Sequence, residues 1–191
     1  MKKIILTLGL FFGLFLYGQE NVAPLGTLSY DVPDGTYIKD MDNVFQPYVG
    51  TWKGSWDGKT FVLRIEKNLK QLNTFPDGSY YYEDELLGKF SISDAATGAI
   101  IETNEGVPYG EGAEIYSVGR PKDSRFSFIF SDGNRCSNSG KILLRGNPAS
   151  GQLNYFYSFK DSWNSENCQY VYQHDIPIPI PTVRMILTKV E

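Results

Sequence analysis

The sequence predicts an all-β fold, a single antiparallel β-barrel of 8–10 strands behind an N-terminal signal peptide. Three observations predict it. Residues 50–67 (GTWKGSWDGKTFVLRIEK) spell a β-hairpin, short alternating apolar segments follow at hairpin spacing, and no window carries a helical apolar stripe.

The chain opens on Lys2 and Lys3, continues as an unbroken apolar run from Ile4 to Tyr17, and reaches the small residue Gly18. That is the pattern of an export signal cut at Gly18 or Gln19. The run is shorter than the ~20 residues that span a bilayer, and no basic stop-transfer cluster follows. No Cys lies near the cut, so no lipid anchor is expected. The expectation is an exported protein of the periplasm or exterior, soluble after cleavage and without a membrane span. Residues 1–19 are then the signal peptide, 20–47 an N-terminal arm and 48–191 the barrel domain.

The arm is polar and punctuated by Pro33-Asp34-Gly35, without sustained periodicity. In the hairpin, Asp57-Gly58 tolerates the positive φ that a type I′ turn requires. Trp52, Gly54 and Trp56 share one side of its first strand, and Phe61, Leu63 and Ile65 one side of its second. A loop holding Pro76-Asp77-Gly78 leads into a long strand from Tyr80 to Ser93. Tyr80, Tyr82, Leu86, Phe90 and Ile92 share a parity there, and Gly88 marks a bulge or bend. Further strands are expected at 99–103, 113–118, 126–131, 141–146, 153–160 and 183–190. Asp161–Glu166 has the makings of one helical turn. The run Ile176-Pro-Ile-Pro-Ile-Pro181 cannot donate to a central ladder and reads as an extended edge or connector.

Without the leader, 16 basic residues face 22 acidic ones, a net charge of −6. No basic stripe is visible along the chain, so nucleic acid and anionic lipid are not expected partners. Cys136 and Cys168 are an even pair in polar, turn-like surroundings. In an oxidising compartment they read as one disulfide; the rival is a reactive thiol or half of a metal site, in a chain whose only His is His174.

Catalytic constellations are absent from the sequence, and neither a cofactor nor a metal is expected. His174 and Asp175 are neighbours, and on a strand they would point to opposite faces. Glu83-Asp84-Glu85 offers carboxylates, but a glycosidase needs two of them about 5–10 Å apart in a cleft. Asp40, Asp42 and Asn43 lack the glycine and distal Glu of a helix-loop-helix calcium loop and read as a turn. The aromatic faces carry more weight. Trp52, Trp56, Phe61, Leu63, Tyr80, Tyr82, Phe128, Tyr155 and Tyr157 fall at strand parity as candidate ligand-binding residues. Core packing claims most of them, and a subset would line a cavity in a barrel of about eight strands.

Gly50-x-Trp52 on the first strand resembles the signature of lipocalins and fatty-acid-binding proteins. That resemblance implies that Trp52 plugs the closed end of a barrel and that a basic residue of the last strand, Arg184 or Lys189, packs across it. Over nearly the whole chain, the sequence also resembles a family of short, exported, uncharacterised Bacteroidota proteins, a domain of unknown function. That likeness rests on Asp34-Gly-Thr-Tyr-Ile-Lys-Asp, Tyr48-Val-Gly-Thr-Trp-Lys-Gly-Ser-Trp-Asp-Gly-Lys-Thr, Cys136-Ser-Asn-Ser-Gly, Asn167-Cys168-Gln-Tyr and Met185-Ile-Leu-Thr-Lys189. It implies a compartment and a barrel, and no catalytic residues. The expected function is an exported, non-enzymatic binding protein holding a small apolar or amphipathic ligand between the aromatic strands. The alternative is an envelope or secreted protein–protein interaction module, inhibitor-like, with a dry core.

Overall fold

The structure, a computed structural model, describes residues 20–160, 168–170 and 172–190. The leader expected at 1–19 and the turn expected at 161–166 lie outside the described residues. The strands are β1 (Val22–Pro24), β2 (Tyr37–Lys39), β3 (Gly50–Trp56), β4 (Lys59–Thr74), β5 (Tyr80–Asp94), β6 (Ile100–Thr103), β7 (Ala113–Lys122), β8 (Arg125–Asp132), β9 (Asn138–Arg145), β10 (Gln152–Lys160) and β11 (Met185–Val190). Eight of them close a barrel. Antiparallel pairs run from β3 through β4 and β5 to β7, on through β8, β9 and β10 to β11, and from β11 back to β3. β6 lies against β5 outside that ring.

Local chemistry explains the ring. Asp57 (φ 44°) and Gly58 (φ 71°) both adopt the positive φ of a type I′ turn, so β3 and β4 pair from Trp56↔Lys59 to Gly50↔Ile65 without a break. Gly88 does not form the expected bulge. It pairs regularly with Ile65, and a Cβ there would sit 2.7 Å from the Ile115 side chain. Its bareness is what lets β7 approach β5 and close the barrel. The bulge falls instead on β4 between Asn68 and Gln71, where Lys70 takes φ 56°.

One parity of each barrel strand faces inward. Trp52, Phe61, Leu63, Phe128, Tyr155 and Leu187 are each at most 1% exposed, so no space wide enough for water adjoins them. Phe61 meets Tyr155 edge-on at 5.6 Å, and Phe126 lies 4.8 Å from Phe128. At about 1.5–3 kcal/mol for each large apolar side chain, this burial is the main favourable term in the fold.

Both ends are stoppered. At one, Phe45 stacks on Phe126 at 5.4 Å and Tyr48 meets the same ring edge-on at 5.0 Å. At the other, Ile178 and Ile180 of the proline-rich connector pack on the core, and Tyr155 donates its hydroxyl to the Pro181 carbonyl (2.9 Å). That segment forms no strand, as its prolines require. The Cys136–Cys168 disulfide forms, joining residues 32 apart in sequence.

The arm is more ordered than its sequence suggests. β1 pairs parallel with β2, and β2 parallel with β5, extending the sheet beyond the ring. Three-residue strands are too short to print an alternation, so backbone pairing rather than pattern makes them. A buried carboxylate pins them. Asp84 accepts from the Tyr37 hydroxyl (2.5 Å) and from the amides of Asp40 and Lys70 (3.0 Å each). Asp40 in turn accepts from the amides of Val44 (2.8 Å) and Phe45 (3.1 Å) and pairs with Lys67 at 3.1 Å.

Asp84→Ala strands two buried donors and one half-buried donor, the buried ones costing about 1–3 kcal/mol each. The expected outcome is a loss of at least about 3 kcal/mol in urea unfolding, with early proteolysis of the arm; an unchanged midpoint would refute the pinning role. Replacing both cysteines by Ser is expected to remove about 3–4 kcal/mol by loop-closure entropy, read as a lowered urea midpoint that reductant reproduces in the parent chain; an unchanged midpoint would refute it.

Candidate functional site

The expected ligand-binding residues separate into three groups. Trp52, Phe61, Leu63, Phe128 and Tyr155 are fully buried core. Trp52 donates its indole N–H to the Tyr48 carbonyl (2.8 Å), and Lys189 caps its ring, Nζ 5.3 Å from the ring centre and 3.2 Å from the Pro47 carbonyl. Lys189 is thus the basic partner of Trp52. Arg184 instead lies 5.3 Å over Phe156. Trp56 and Tyr157 are half-buried at the far end of the barrel, packed on the core. Tyr157 leans over Gly140, where a Cβ would lie 2.1 Å from its hydroxyl, and burial pushes that hydroxyl up to about 12.

Tyr80 and Tyr82 stand apart from both groups. Their strand has by then run past the barrel rim, so the parity that points inward at Phe90 points at the arm here. They meet edge-on at 6.0 Å, with Lys70 Nζ 5.2 Å from the Tyr82 ring. Tyr80 lines a cleft of about 410 Å³ between the arm and the β4–β5 turn. Two Pro-Asp-Gly turns frame it. In the first, Asp34 accepts from the Tyr80 amide (3.3 Å), the Gly35 amide donates to the Tyr80 carbonyl (2.9 Å), and a Cβ on Gly35 would crowd the Tyr80 hydroxyl at 3.3 Å. In the second, Asp77 accepts from the amide and the hydroxyl of Ser79 (3.0 and 2.6 Å). Those two bonds hold the Asp77 carboxyl below the usual carboxylate range.

The cleft offers flat aromatic surface beside carboxylate oxygens. Tyr30 is 73% exposed and Tyr80 39%, with Phe75 and Val32 between the turns. A carboxylate has about four acceptor positions, so Asp34 and Asp77 keep lone pairs for a ligand's donors. Tyr30 and Phe75 were not singled out from the sequence. The doubled Pro-Asp-Gly with an aromatic nearby was the available signal.

Other titratable groups make contacts within the fold. Glu85 accepts from the Asn68 amide group (3.0 Å), and Glu114 from the Gly110 N–H. Burial, then the charges of Glu85 and Glu114, holds the Tyr109 hydroxyl above its ordinary range. His174 and Asp175 lie on a short 3₁₀ turn rather than a strand, and their side chains meet at 3.4 Å in the open, with the imidazole stacked on Tyr172. Among the described residues no group of three or more His, Cys, Asp or Glu is placed to hold a metal ion. No described helix is long and apolar enough to cross a membrane.

The model of a family of unknown function, DUF6705, matches residues 1–104, more than half of the chain. The chain belongs to that family. No curated protein and no solved structure matches it. The span this DUF6705 member shares with its family model holds the arm, Trp52 and both walls of the Tyr30–Tyr80 cleft, and stops before β7.

Burial, then the charges of Glu85 and Asp84, pushes the Glu83 carboxyl of this DUF6705 member up to about 7, from an ordinary 4.5. The folded chain therefore binds that proton more tightly than the unfolded one. Its contribution to stability falls as pH rises from about 4.5 to about 7. Glu83→Gln is expected to gain on the parent progressively across that window, read as the difference between their urea midpoints. A difference independent of pH would refute the assignment.

Proposed function

We propose that the protein is an exported, non-enzymatic binding protein whose ligand lies outside the barrel, in the Tyr30–Tyr80 cleft. The observation that carries this reading is the pairing of a dry interior with exposed rings at the rim. Side chains that would line a lipocalin-type cavity touch one another instead, whereas Tyr30 and Tyr80 are held in the open beside two anchored carboxylates. Exposed rings cost solubility and, in this place, stabilise no core. Their use is to stack on a flat apolar face while Asp34 and Asp77 accept from hydroxyl or amine groups. The ligand class is small and amphipathic, with one apolar face and several donors; a hydroxyl-rich sugar ring fits it. A disulfide in the fold supports an oxidising, exported location.

A second reading has its own observation. Among the described residues β6 pairs with β5 alone and presents Ile100 and Ile101, 62% and 53% exposed, on an edge strand. An apolar edge is a template for strand addition by an envelope or secreted protein partner, which would make the protein an interaction module.

Saturation-transfer NMR of the purified protein with a panel of neutral oligosaccharides tests the first reading. Transfer to a sugar that is lost in Tyr30→Ala/Tyr80→Ala, with the thermal midpoint retained, is the expected result. A small molecule extracted in stoichiometric amount from that double variant would return the ligand to the barrel. Capture of a defined envelope protein, abolished by Ile100→Lys/Ile101→Lys, would favour the module.

A further inference from the structure

We propose a second binding site on the outer wall, a cleft that takes a phosphate or sulfate group. β7, β8 and β9 bring Arg120, Lys122, Arg125 and Lys141 around a cleft of about 280 Å³, floored by Val118 and Leu143 with Ser127 beside them. Asp123 is the single carboxylate on its lining. The concavity has a local cause. The register of β7 and β8 shifts between Val118 and Lys122, and the hairpin tip is tied down where the Gly146 amide donates to the Ser124 carbonyl (2.9 Å).

Charge is concentrated here against the trend of the chain, which is acidic overall. It is also left unmatched. Where lysines and arginines elsewhere pair with a carboxylate they do so closely, as in Lys70 with Glu20 (2.6 Å), Arg135 with Asp132 (2.6 Å) and Lys67 with Asp40 (3.1 Å). Around the cleft the pairs are loose, Arg120 with Asp42 at 4.0 Å and Arg125 with Asp123 at 3.8 Å. No carboxylate among the described residues pairs with Lys122 or Lys141. Arg125 is moreover the register partner of Arg145. Like charges directly opposite on one face of a sheet are destabilising; Arg145 lies 5.1 Å over the Phe156 ring, and Arg125 is the member of this pair that lines the cleft.

An oxyanion suits the geometry. Guanidinium and ammonium donors form their strongest bonds to phosphate and sulfate oxygens, and Arg can bind them through two bonds at once. The cleft admits one such group with a small body against Val118 and Leu143. The group can belong to a free ester or to a lipid headgroup, and both present the same oxygens. This site does not depend on the Tyr30–Tyr80 cleft. Composition alone points to no such site, because the cations come from β7, β8 and β9 and form no stripe in the sequence.

The test is calorimetric titration of the purified protein with inorganic phosphate and with glucose 6-sulfate, and flotation with phosphatidylcholine vesicles with and without phosphatidylglycerol. Arg125→Gln/Lys141→Gln is compared with Lys53→Gln/Lys59→Gln, which removes equal charge elsewhere. Saturable, salt-sensitive binding of a free anion, weakened about tenfold or more by the first pair and not the second, is the expected result. Flotation only with anionic vesicles, lost in the first pair alone, supports the site and assigns it to a headgroup. The thermal midpoint of the first pair should hold or rise as the Arg125–Arg145 repulsion is relieved. Absence of saturable binding to every probe, or equal weakening by both pairs, would overturn it.

Discussion

A single buried carboxylate holds the two parts of this molecule in register. Asp84 sits where β5 leaves the barrel, and its oxygens take a phenol hydroxyl and two backbone amides from three separate segments. A buried carboxylate is tolerable only with such a set of donors. Because it faces β2, the β4 bulge and the turn at Asp40 together, it sets where the arm crosses the rim. Everything distal to it follows. The Asp40 turn aims Phe45 and Tyr48 into the barrel mouth, and the opposite continuation of the arm lays Asp34-Gly35 along Tyr80.

The wall of the barrel therefore does two jobs that are kept apart in space. Inside, apolar packing around Trp52, Phe61, Phe128 and Tyr155 supplies stability. Outside, polar and charged groups are placed where the scaffold, not their own contacts, fixes them. The rim cleft gathers carboxylates and rings and the lateral cleft gathers cations, so the two surfaces differ in charge and in aromatic content. A rigid closed sheet is well suited to this, since its outer side chains are positioned by the same hydrogen bonds that close the ring.

Much of this architecture was legible in the chain. The Asp57-Gly58 turn and the alternation at Trp52, Phe61, Leu63, Phe128 and Tyr155 specify hairpin, strand parity and core, because each is a local property with a fixed period. The disulfide followed from an even cysteine count. What was not legible arises from juxtaposition. Tyr80 and Phe90 share a parity, yet one is at the open rim and the other in the core, since strand length rather than period decides where a barrel ends. Arg125 and Arg145 are twenty positions apart and meet only through register. Short strands such as β1 and β2 are made by backbone pairing alone, which leaves no mark in side-chain pattern. The choice of Lys189 over Arg184 as the partner of Trp52 likewise depended on strand register, which places Lys189 directly across from that ring.

The seam between β3 and β11 has a kinetic meaning. Lys189 reaches the Pro47 carbonyl from 142 residues away, and the first hairpin strand has no outer neighbour until β11 arrives. Contacts this distant in sequence make folding slow, because the loop must close before they form. Closure of the ring accordingly waits on β11, the last of the described strands in chain order. Until β11 pairs, β3 and β10 both present open edges, the arrangement most exposed to pairing with another chain.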